Sequence, residues 1–346
     1  MRLTQIGSYM ENPKKLIDLK DLLSRARESS NPRTFLESWT LNGLPESIIS
    51  ELKSKGFNYY RGKVRECLSS EDMIYMIHTD NLSAFDCFIA MVPFKGVLLA
   101  AISQYWYQTI GKVIDHAFIG ACHPRVLEMK KLAPLKVEVI VRSYLAGSML
   151  RSYETGARNF CGQKLPDGLK PFDQLPAPIV TPTSKADAFE HDENLSPSEL
   201  INAGLVANDG AWKKIEQKAL QLFRIGTERY AQCGWILADT KYEFGADAEG
   251  KIYLIDEVHT PDSSRLWKQR SYRERIGLGL FPEMFDKEIV RRYLSERGFT
   301  GVGTIPPVPY TLILDLLESY LGIYKSLTGK DLVFEDVKLE GSALFT

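Results

Sequence analysis

The chain has 346 residues, of which 44% are hydrophobic and 25% are charged, a composition typical of water-soluble globular proteins. Its 43 basic residues are balanced by 44 acidic ones, so no basic surface indicates a nucleic-acid-binding protein. Five scattered cysteines without a CxxC pair favour reduced thiols over a disulfide framework or a zinc site. No apolar run reaches the roughly 18 residues of a membrane span, and the first residues lack the apolar core of a signal peptide. We therefore expect a cytoplasmic protein that binds neither nucleic acid nor membrane.

The first elements along the chain are a helix and a hairpin. Residues 1–60 are polar, and the apolar positions of "PESIISELKSKG" share one helical face until Gly56. Residues 64–68 and 73–78 read as two strands across a polar turn, which predicts a β-hairpin. An amphipathic helix that ends near Gly111 comes next.

The second half begins with a strand at 137–142 that runs into a helix. Glycine and proline are frequent at 155–182, which predicts a long irregular loop. A further helix leads to two strands, "WILADTKYEFG" and "KIYLIDEV", joined by a short turn, and the C-terminal third is mostly helical. This order predicts an α+β protein with two lobes, an N-terminal one at 1–135 and a larger one at 136–346, and leaves the oligomeric state open.

The second hairpin carries an unusual polar face. Side chains alternate along a strand, so Asp239, Lys241 and Glu243 share one face of "WILADTKYEFG". A solvent-facing sheet surface would explain this pattern, but the partner strand is apolar on both faces until Asp256 and is expected to be buried. Antiparallel pairing is expected to bring Asp256 within about one register step of residues 239–241. Crowded carboxylates repel unless a cation joins them, and Glu243 and Asp256 offer the oxygen ligands that Mg²⁺ prefers. We predict a metal–phosphate site here.

Other polar segments are less specific by themselves. "TPDSSR" offers hydroxyls and the guanidinium of Arg265, which suit an anionic phosphate, although a helix cap with a surface arginine would give the same residues. "RGKVREC" is not a Walker A loop, and "TDNLSAFD" is typical of a turn rich in side-chain hydrogen bonds. Lys185 precedes His191, Asp192 and Glu193, a pattern more typical of a solvated loop than of a zinc site.

Taken in this order, the segments resemble a known family. "GKVREC", "TDNLSAFD", "VIVRSYLAGS", "TPTSKAD…HDEN", "ADTKYEFG" and "LIDEVHTPDSSRLW" are similar to the phosphoribosylaminoimidazole-succinocarboxamide synthase (SAICAR synthetase) family over roughly residues 60–270. The chain departs from the family at 66–67, at Asn81, where arginine is common, and at His259, which replaces an apolar residue.

The resemblance implies an ATP-dependent ligase of de novo purine biosynthesis. Its substrates would be ATP, carboxyaminoimidazole ribonucleotide (CAIR) and L-aspartate, which form SAICAR, ADP and phosphate through an acyl phosphate, with Mg²⁺ as cofactor. The fold implied is the family's two-lobed α+β architecture, related to ATP-grasp and kinase-like folds, with ATP in the cleft between the lobes. A small-molecule kinase would use the same phosphate and metal sites, and a nucleotide-binding regulatory module would keep the GKVR hairpin without needing Lys241.

The resemblance also assigns roles to individual residues. The expected ATP contacts are Gly62, Lys63, Val64, Arg65, Glu138 and Lys185. The expected substrate contacts are Arg142, Ser148, Asp192, Lys241, Ser264 and Arg265, together with Asp80, Ser83 and Asp86 near the aspartate site. Glu243 and Asp256 are expected to hold Mg²⁺, and catalysis is expected to depend on Lys241, Asp239 and Arg265.

Overall fold

The structure is a computed structural model and describes residues 16–111, 113–185 and 193–335. Within these ranges the helices are α1 (Leu19–Glu28), α2 (Pro32–Glu37), α3 (Glu46–Ser54), α4 (Lys95–Ile110), α5 (Gly147–Glu154), α6 (Pro197–Asn202), α7 (Asp209–Gln232), α8 (Gln269–Gly277), α9 (Glu288–Ser295) and α10 (Tyr310–Thr328). None of them is long and apolar enough to cross a membrane.

Several strands follow one another without a helix between them, and the named strands pair antiparallel, as expected for an α+β protein. They are β1 (Leu16–Asp18), β2 (Asn58–Arg61), β3 (Arg65–Ser69), β4 (Met73–His78), β5 (Asn81–Ala84), β6 (Cys87–Met91), β7 (Phe118–His123), β8 (Val126–Lys130), β9 (Ala133–Tyr144), β10 (Asn159–Phe160), β11 (Gln163–Lys164), β12 (Gln174–Ser184), β13 (Trp235–Ala246), β14 (Ile252–Ile255), β15 (Ser264–Lys268) and β16 (Val333–Glu335).

The chain divides into two compact units. Among the described residues, unit 1 contains those up to Gln104, Phe118–Lys131 and those from Val290 onward, and unit 2 contains Tyr105–Ala117 and Leu132–Ile289. The sequence suggested one boundary at 135, but the C-terminal helix α10 shares a buried apolar cluster with α1. The last part of the chain therefore belongs to the first unit, because its leucines complete that core.

Unit 1 contains a five-stranded antiparallel sheet in the order β2-β3-β4-β8-β7. The predicted first hairpin is confirmed, since β3 pairs with β4 and Arg65 lies opposite His78. Helix α3 confirms the helix predicted before Gly56, and this glycine has a φ of 89°, which suits the end of a helix. The helix predicted to end near Gly111 is α4.

Unit 2 contains a second antiparallel sheet in the order β12-β9-β13-β14, with β15 also paired to β13. The prediction of an irregular loop at 155–182 is wrong for residues 174–182, which form most of β12. Prolines misled the prediction: β12 lies at the sheet edge, where a missing N–H is tolerated. Pro176 and Pro178 fall within a register shift of the pairing with β9.

The second hairpin is confirmed with one change of partner. β13 pairs with β14 from Glu243, opposite Ile255, to Ala246, but its earlier residues pair with β15 instead. Asp256 therefore follows directly after the partner of Glu243. It has a φ of 64°, a left-handed conformation that aspartate tolerates better than most residues, and it turns the chain away from β13. The expectation that Asp256 comes within about one register step of residues 239–241 is confirmed for Lys241, on whose charge Asp256 acts. It is wrong for Asp239, which pairs with β15 instead.

Candidate active site

Cross-strand pairing in unit 2 assembles a lysine–carboxylate cluster of Glu138, Lys185, Lys241 and Glu243. Glu138 on β9 lies opposite Glu243 on β13. The Lys241 ammonium donates to Glu138, and its Nζ lies 3.3 Å from Glu243 Oε1. Lys185, directly after β12, donates to Glu243 Oε2. Three strands thus bring together residues far apart in the sequence.

Lys241 is the central cation of this cluster. Burial opposes its charge, but the nearby carboxylates of Glu243, Glu138 and Asp256 outweigh burial and raise its pKa. The Glu243 and Glu138 side chains are themselves only 8% and 12% exposed. Lys241 therefore remains an ammonium at neutral pH, which suits it to attract an anion and not to act as a base.

An arginine cluster lies two residues earlier on β13 and consists of Arg142, Asp239, Arg265 and Glu288. Asp239 is opposite Arg142 on β9 and opposite Arg265 on β15. Its Oδ2 lies 2.7 Å from Nη1 of Arg265 and 3.5 Å from Nη1 of Arg142. Nη2 of Arg265 lies 3.3 Å from Oε2 of Glu288. One buried carboxylate therefore holds two guanidinium groups.

Two further residues, Thr181 and Asp286, support this arrangement, and sequence reasoning missed both of them as well as Glu288. Nε of Arg142 donates to Oγ1 of Thr181 at 2.9 Å. Asp286 accepts hydrogen bonds from the backbone N–H groups of Leu266 (2.8 Å) and Glu288 (2.7 Å). A "DKE" stretch is ordinary in surface helices, so nothing in the sequence marks residues 286–288.

Gly147 fits against Arg265 because it has no side chain. It adopts a φ of +60°, and a Cβ there would lie 2.3 Å from Nη2 of Arg265. A glycine within "YLAGS", directly before a predicted helix, was the available signal for such a close approach.

A cavity of about 490 Å³ opens beside Arg142 in unit 2. Arg142 and Ser148, both predicted substrate contacts, line it, as do residues that the prediction did not include. Those further polar residues are Ser152, Asn159, Thr181, Asn194, Ser196 and Glu199. Asn159 lies on β10, and Phe160, Cys161 and Gly162 of the β10–β11 hairpin also line the cavity, although the sequence gave no indication of a ligand there.

The "TPDSSR" segment is not a free turn, because its last residues belong to a strand and it is hydrogen-bonded to β13. Ser264 and Arg265 begin strand β15, and the Ser264 hydroxyl lies 2.8 Å from Oγ1 of Thr240. The carbonyl of Ser263 accepts from the N–H of Lys241 at 3.0 Å. The segment is thereby fixed to β13 at the residues between the two clusters.

The predicted ATP contacts of the GKVR segment lie in unit 1. The N–H of Gly62 donates to the carbonyl of Arg65 at 2.8 Å, which closes the turn around Lys63 and Val64. The exposed Nζ of Lys63 lies 2.7 Å from the Asp86 carboxylate. Lys63 is thus an accessible cation at a hairpin turn.

The predicted aspartate-site residues divide by burial. Asp80 is fully buried and accepts from Arg125 (2.6 Å), Gly96 N–H (2.9 Å) and Leu41 N–H (2.9 Å). This geometry supports a structural role for Asp80 within unit 1 and gives no support to substrate contact. Ser83 lies half-buried in β5, and Asp192 lies outside the described residues.

The acidic residues of unit 2 are compatible with magnesium. In the part of the chain that the structure describes, no group of three or more metal-ligating side chains is found. Mg²⁺ commonly uses only one or two protein carboxylates and completes its octahedron with phosphate oxygens and water. Glu243 and Asp256 are two such carboxylates, and both are near enough to Lys241 to raise its pKa.

Comparison with known sequences identifies the family. Residues 58–304 match the sequence profile of SAICAR synthetase. A protein of Agrobacterium fabrum described as "putative phosphoribosylaminoimidazole-succinocarboxamide synthase 2" is 42% identical over 298 residues, which cover 85% of this chain and 93% of that protein.

Solved structures agree with this match. The SAICAR synthase of Saccharomyces cerevisiae in complex with SAICAR superposes with a TM-score of 0.69 at 29% identity, covering 80% of this chain and 96% of the yeast chain. A type-2 SAICAR synthetase in complex with ADP gives a TM-score of 0.63 at 28% identity, covering 80% of this chain and 99% of that one. The chain therefore belongs to the SAICAR synthetase family, and it is an ATP-dependent carbon–nitrogen ligase of purine biosynthesis.

Proposed function

We propose that unit 2 binds CAIR, with the arginine cluster facing its phosphate and the lysine–carboxylate cluster facing its carboxylate. The observation that carries the proposal is the shared face of β13, on which Asp239, Lys241 and Glu243 alternate. Asp239 organises two arginines, and Lys241 remains cationic two residues further on. A ligand with an anionic group at each end would match this order of charges.

The chemistry requires activation of a carboxylate. A carboxylate oxygen of CAIR attacks the γ-phosphorus of ATP, and ADP leaves with the electron pair of the broken P–O bond. The aspartate amine then attacks the acyl carbon, inorganic phosphate leaves, and the nitrogen releases a proton. Apart from the neutral aspartate amine, the reacting groups are anionic, which explains why the site is built from positioned charges rather than around a covalent nucleophile.

Each residue has a distinct part in this proposal. Lys241 holds the CAIR carboxylate in its reactive position, and Arg142, Ser148 and Arg265 bind the nucleotide. Glu243 and Asp256 would hold Mg²⁺, which supplies charge neutralisation to the phosphates of ATP. The exposed Lys63 of unit 1 is assigned to the ATP phosphates.

The free cysteines support a cytoplasmic location.

The proposal is tested by the requirements for phosphate release. Release of phosphate from ATP should need both CAIR and L-aspartate, because phosphate leaves only when the amine attacks the acyl phosphate. With ¹⁸O in the CAIR carboxylate, label should appear in the released phosphate if an acyl phosphate forms. A stable phosphorylated product that does not react with aspartate would indicate a kinase instead, and label kept wholly in the amide would exclude activation at this carboxylate.

A further inference from the structure

The contact between Arg265 and Glu288 has a consequence for anion binding. Both side chains are mostly buried, with 15% of Arg265 and 21% of Glu288 exposed, and Nη2 and Oε2 are 3.3 Å apart. Charges in such a position are screened less than surface pairs. Glu288 therefore acts on the same guanidinium that is assigned to the substrate phosphate.

The position of Glu288 is set by the backbone and not by its own side chain. Residues 283–286 run beside β15: Lys268 N–H donates to the carbonyl of Glu283 at 2.9 Å, and Phe285 N–H donates to that of Leu266 at 3.0 Å. Asp286 then accepts hydrogen bonds from the backbone N–H groups of Leu266 on β15 and of Glu288. The Glu288 carboxylate is thus delivered to Arg265 by a segment fixed to the sheet.

The charges of the four residues of the arginine cluster balance one another. Arg142 and Arg265 contribute two positive charges, and Asp239 and Glu288 contribute two negative ones. Asp239 is 4% exposed and lies between the two arginines, so it is needed to hold them. Glu288 contacts Arg265 at Nη2, at the longer distance of 3.3 Å.

We propose that Glu288 is an internal competitor for the nucleotide phosphate. Its carboxylate occupies an edge of Arg265 that a phosphate would take, and it limits how tightly the enzyme binds substrate and product, which carry the same phosphate group. Glu288 is thus a positioning residue that sets nucleotide affinity through Arg265. The inference rests on the proposed assignment of Arg265 to that phosphate.

The direct test is binding of ribose 5-phosphate, measured by calorimetric titration without ATP or Mg²⁺. Glu288→Gln keeps the shape of the side chain and removes its charge, so affinity should rise by about fivefold, the equivalent of a salt bridge of ~1 kcal/mol. The KM for CAIR should fall by a similar factor. Glu288→Asp keeps the charge and should not tighten binding.

The matched control is Glu283→Gln. Glu283 belongs to the same segment, but its Oε2 accepts from Ser271 Oγ at 2.9 Å. Its substitution should leave ribose 5-phosphate binding unchanged. Unchanged or weaker binding by Glu288→Gln would overturn the inference. Unchanged binding by Arg265→Lys would instead overturn the assignment of Arg265 to the phosphate, and with it the basis for a role of Glu288.

Discussion

The two charged clusters of unit 2 lie on the same strand and differ in composition. The lysine–carboxylate cluster and Asp256 set two lysines against three carboxylates, whereas the arginine cluster sets two arginines against two carboxylates. The first has more carboxylates than lysines, and a metal ion can displace the ammonium groups of those lysines from the carboxylates. The second has planar guanidinium groups fixed by a buried aspartate.

This difference indicates opposite ligands. Surplus carboxylates around a lysine suit a site that receives a cation together with anionic phosphates. Arginines held in one orientation suit bidentate recognition of a phosphate. A single strand can present both because its side chains alternate and successive cross-strand partners differ. The predictions below test whether the two clusters act separately, and they are ordered from the largest expected effect.

The largest effect is expected at the lysine–carboxylate end. Asp256→Asn removes a proposed Mg²⁺ ligand, and asparagine tolerates the left-handed backbone at φ 64°. We expect kcat to fall by roughly 100- to 1000-fold, as for loss of a major electrostatic contact in a transition state. The measurement is turnover across a range of Mg²⁺ concentrations. Asp115→Asn, which changes a carboxylate paired with Lys218 and Lys251, is the control and should remain active.

Near-normal turnover of Asp256→Asn at saturating Mg²⁺ would show that the carboxylate is dispensable. CAIR binding measured without ATP should be little changed, since the arginine cluster is intact. If CAIR binding is lost as completely as turnover, the two clusters act together, and the separate roles proposed for them are wrong.

At the arginine end, Arg265→Ala should weaken CAIR binding by about one to two orders of magnitude. A hydrogen bond to a charged group contributes roughly 1.5–3 kcal/mol, and 1.4 kcal/mol corresponds to tenfold. Arg265→Lys should recover part of the loss, because it keeps the charge but not the planar fork. The measurement is a pair of titrations, with CAIR and with ATP. An equal loss of ATP affinity would place Arg265 elsewhere.

A smaller effect at the same end is expected from Gly147→Ala. The new Cβ would lie 2.3 Å from Nη2 of Arg265 and should displace the guanidinium, so the KM for CAIR should rise by about tenfold. Gly156→Ala is the matched control, because Gly156 also has a positive φ, of 103°, but has nothing within 4 Å of its Cβ. If both variants raise the KM equally, backbone strain and not Arg265 is responsible.

The last comparison is between the pKa values of two buried groups, His259 behind the lysine–carboxylate cluster and Asp286 behind the arginine cluster. His259 Nε2 lies 2.5 Å from the hydroxyl of Tyr242, the residue between Lys241 and Glu243, and burial lowers the pKa of His259 from 6.5 to about 3. Burial and Glu288 raise the pKa of Asp286, behind the arginine cluster, from 3.8 to about 7. The two shifts have opposite signs.

Protonation of the unfolded chain explains the expected pH dependence. Below pH 6.5 the histidine of the unfolded chain binds a proton, whereas folded His259 stays neutral until about pH 3. The contribution of His259 to the free energy of unfolding is therefore present above pH 6.5 and is lost as the pH falls towards about 3. Relative to His259→Gln, the free energy of unfolding of the wild type should therefore rise by about 1.4 kcal/mol per pH unit between about pH 4 and 6. Urea unfolding over this range measures it, and a flat difference would contradict the neutral, buried state of His259.

Asp286 should show the reverse slope. Its contribution is present below the unfolded pKa of 3.8 and is lost as the pH rises through about 7. Between about pH 4 and 6 the two contributions offset each other in the wild type. His259→Gln should consequently reveal a stability that declines as the pH rises, if the other groups are unchanged.

Local pattern determined much of this protein. Period-two alternation placed Asp239, Lys241 and Glu243 on one face, helical spacing predicted α3 and α4, and the order of short segments indicated the family. These features depend on neighbouring residues, which is why the sequence alone could show them. Prolines at 174–182 were misleading because a local rule could not show that β12 lies at a sheet edge.

Tertiary structure decided which residues meet. Strand register placed Glu138 opposite Glu243 and gave Asp239 two arginine partners, and neither pairing is encoded within any one segment. The contact of Glu288 with Arg265 spans 23 positions in the sequence and depends on a backbone segment that docks beside β15. The resemblance assigned Asp80 to the aspartate site, and folding pairs its buried carboxylate with Arg125. The sequence shows which side chains are charged. Whether such a charge faces a ligand or another side chain depends on partners that only folding brings within hydrogen-bonding distance.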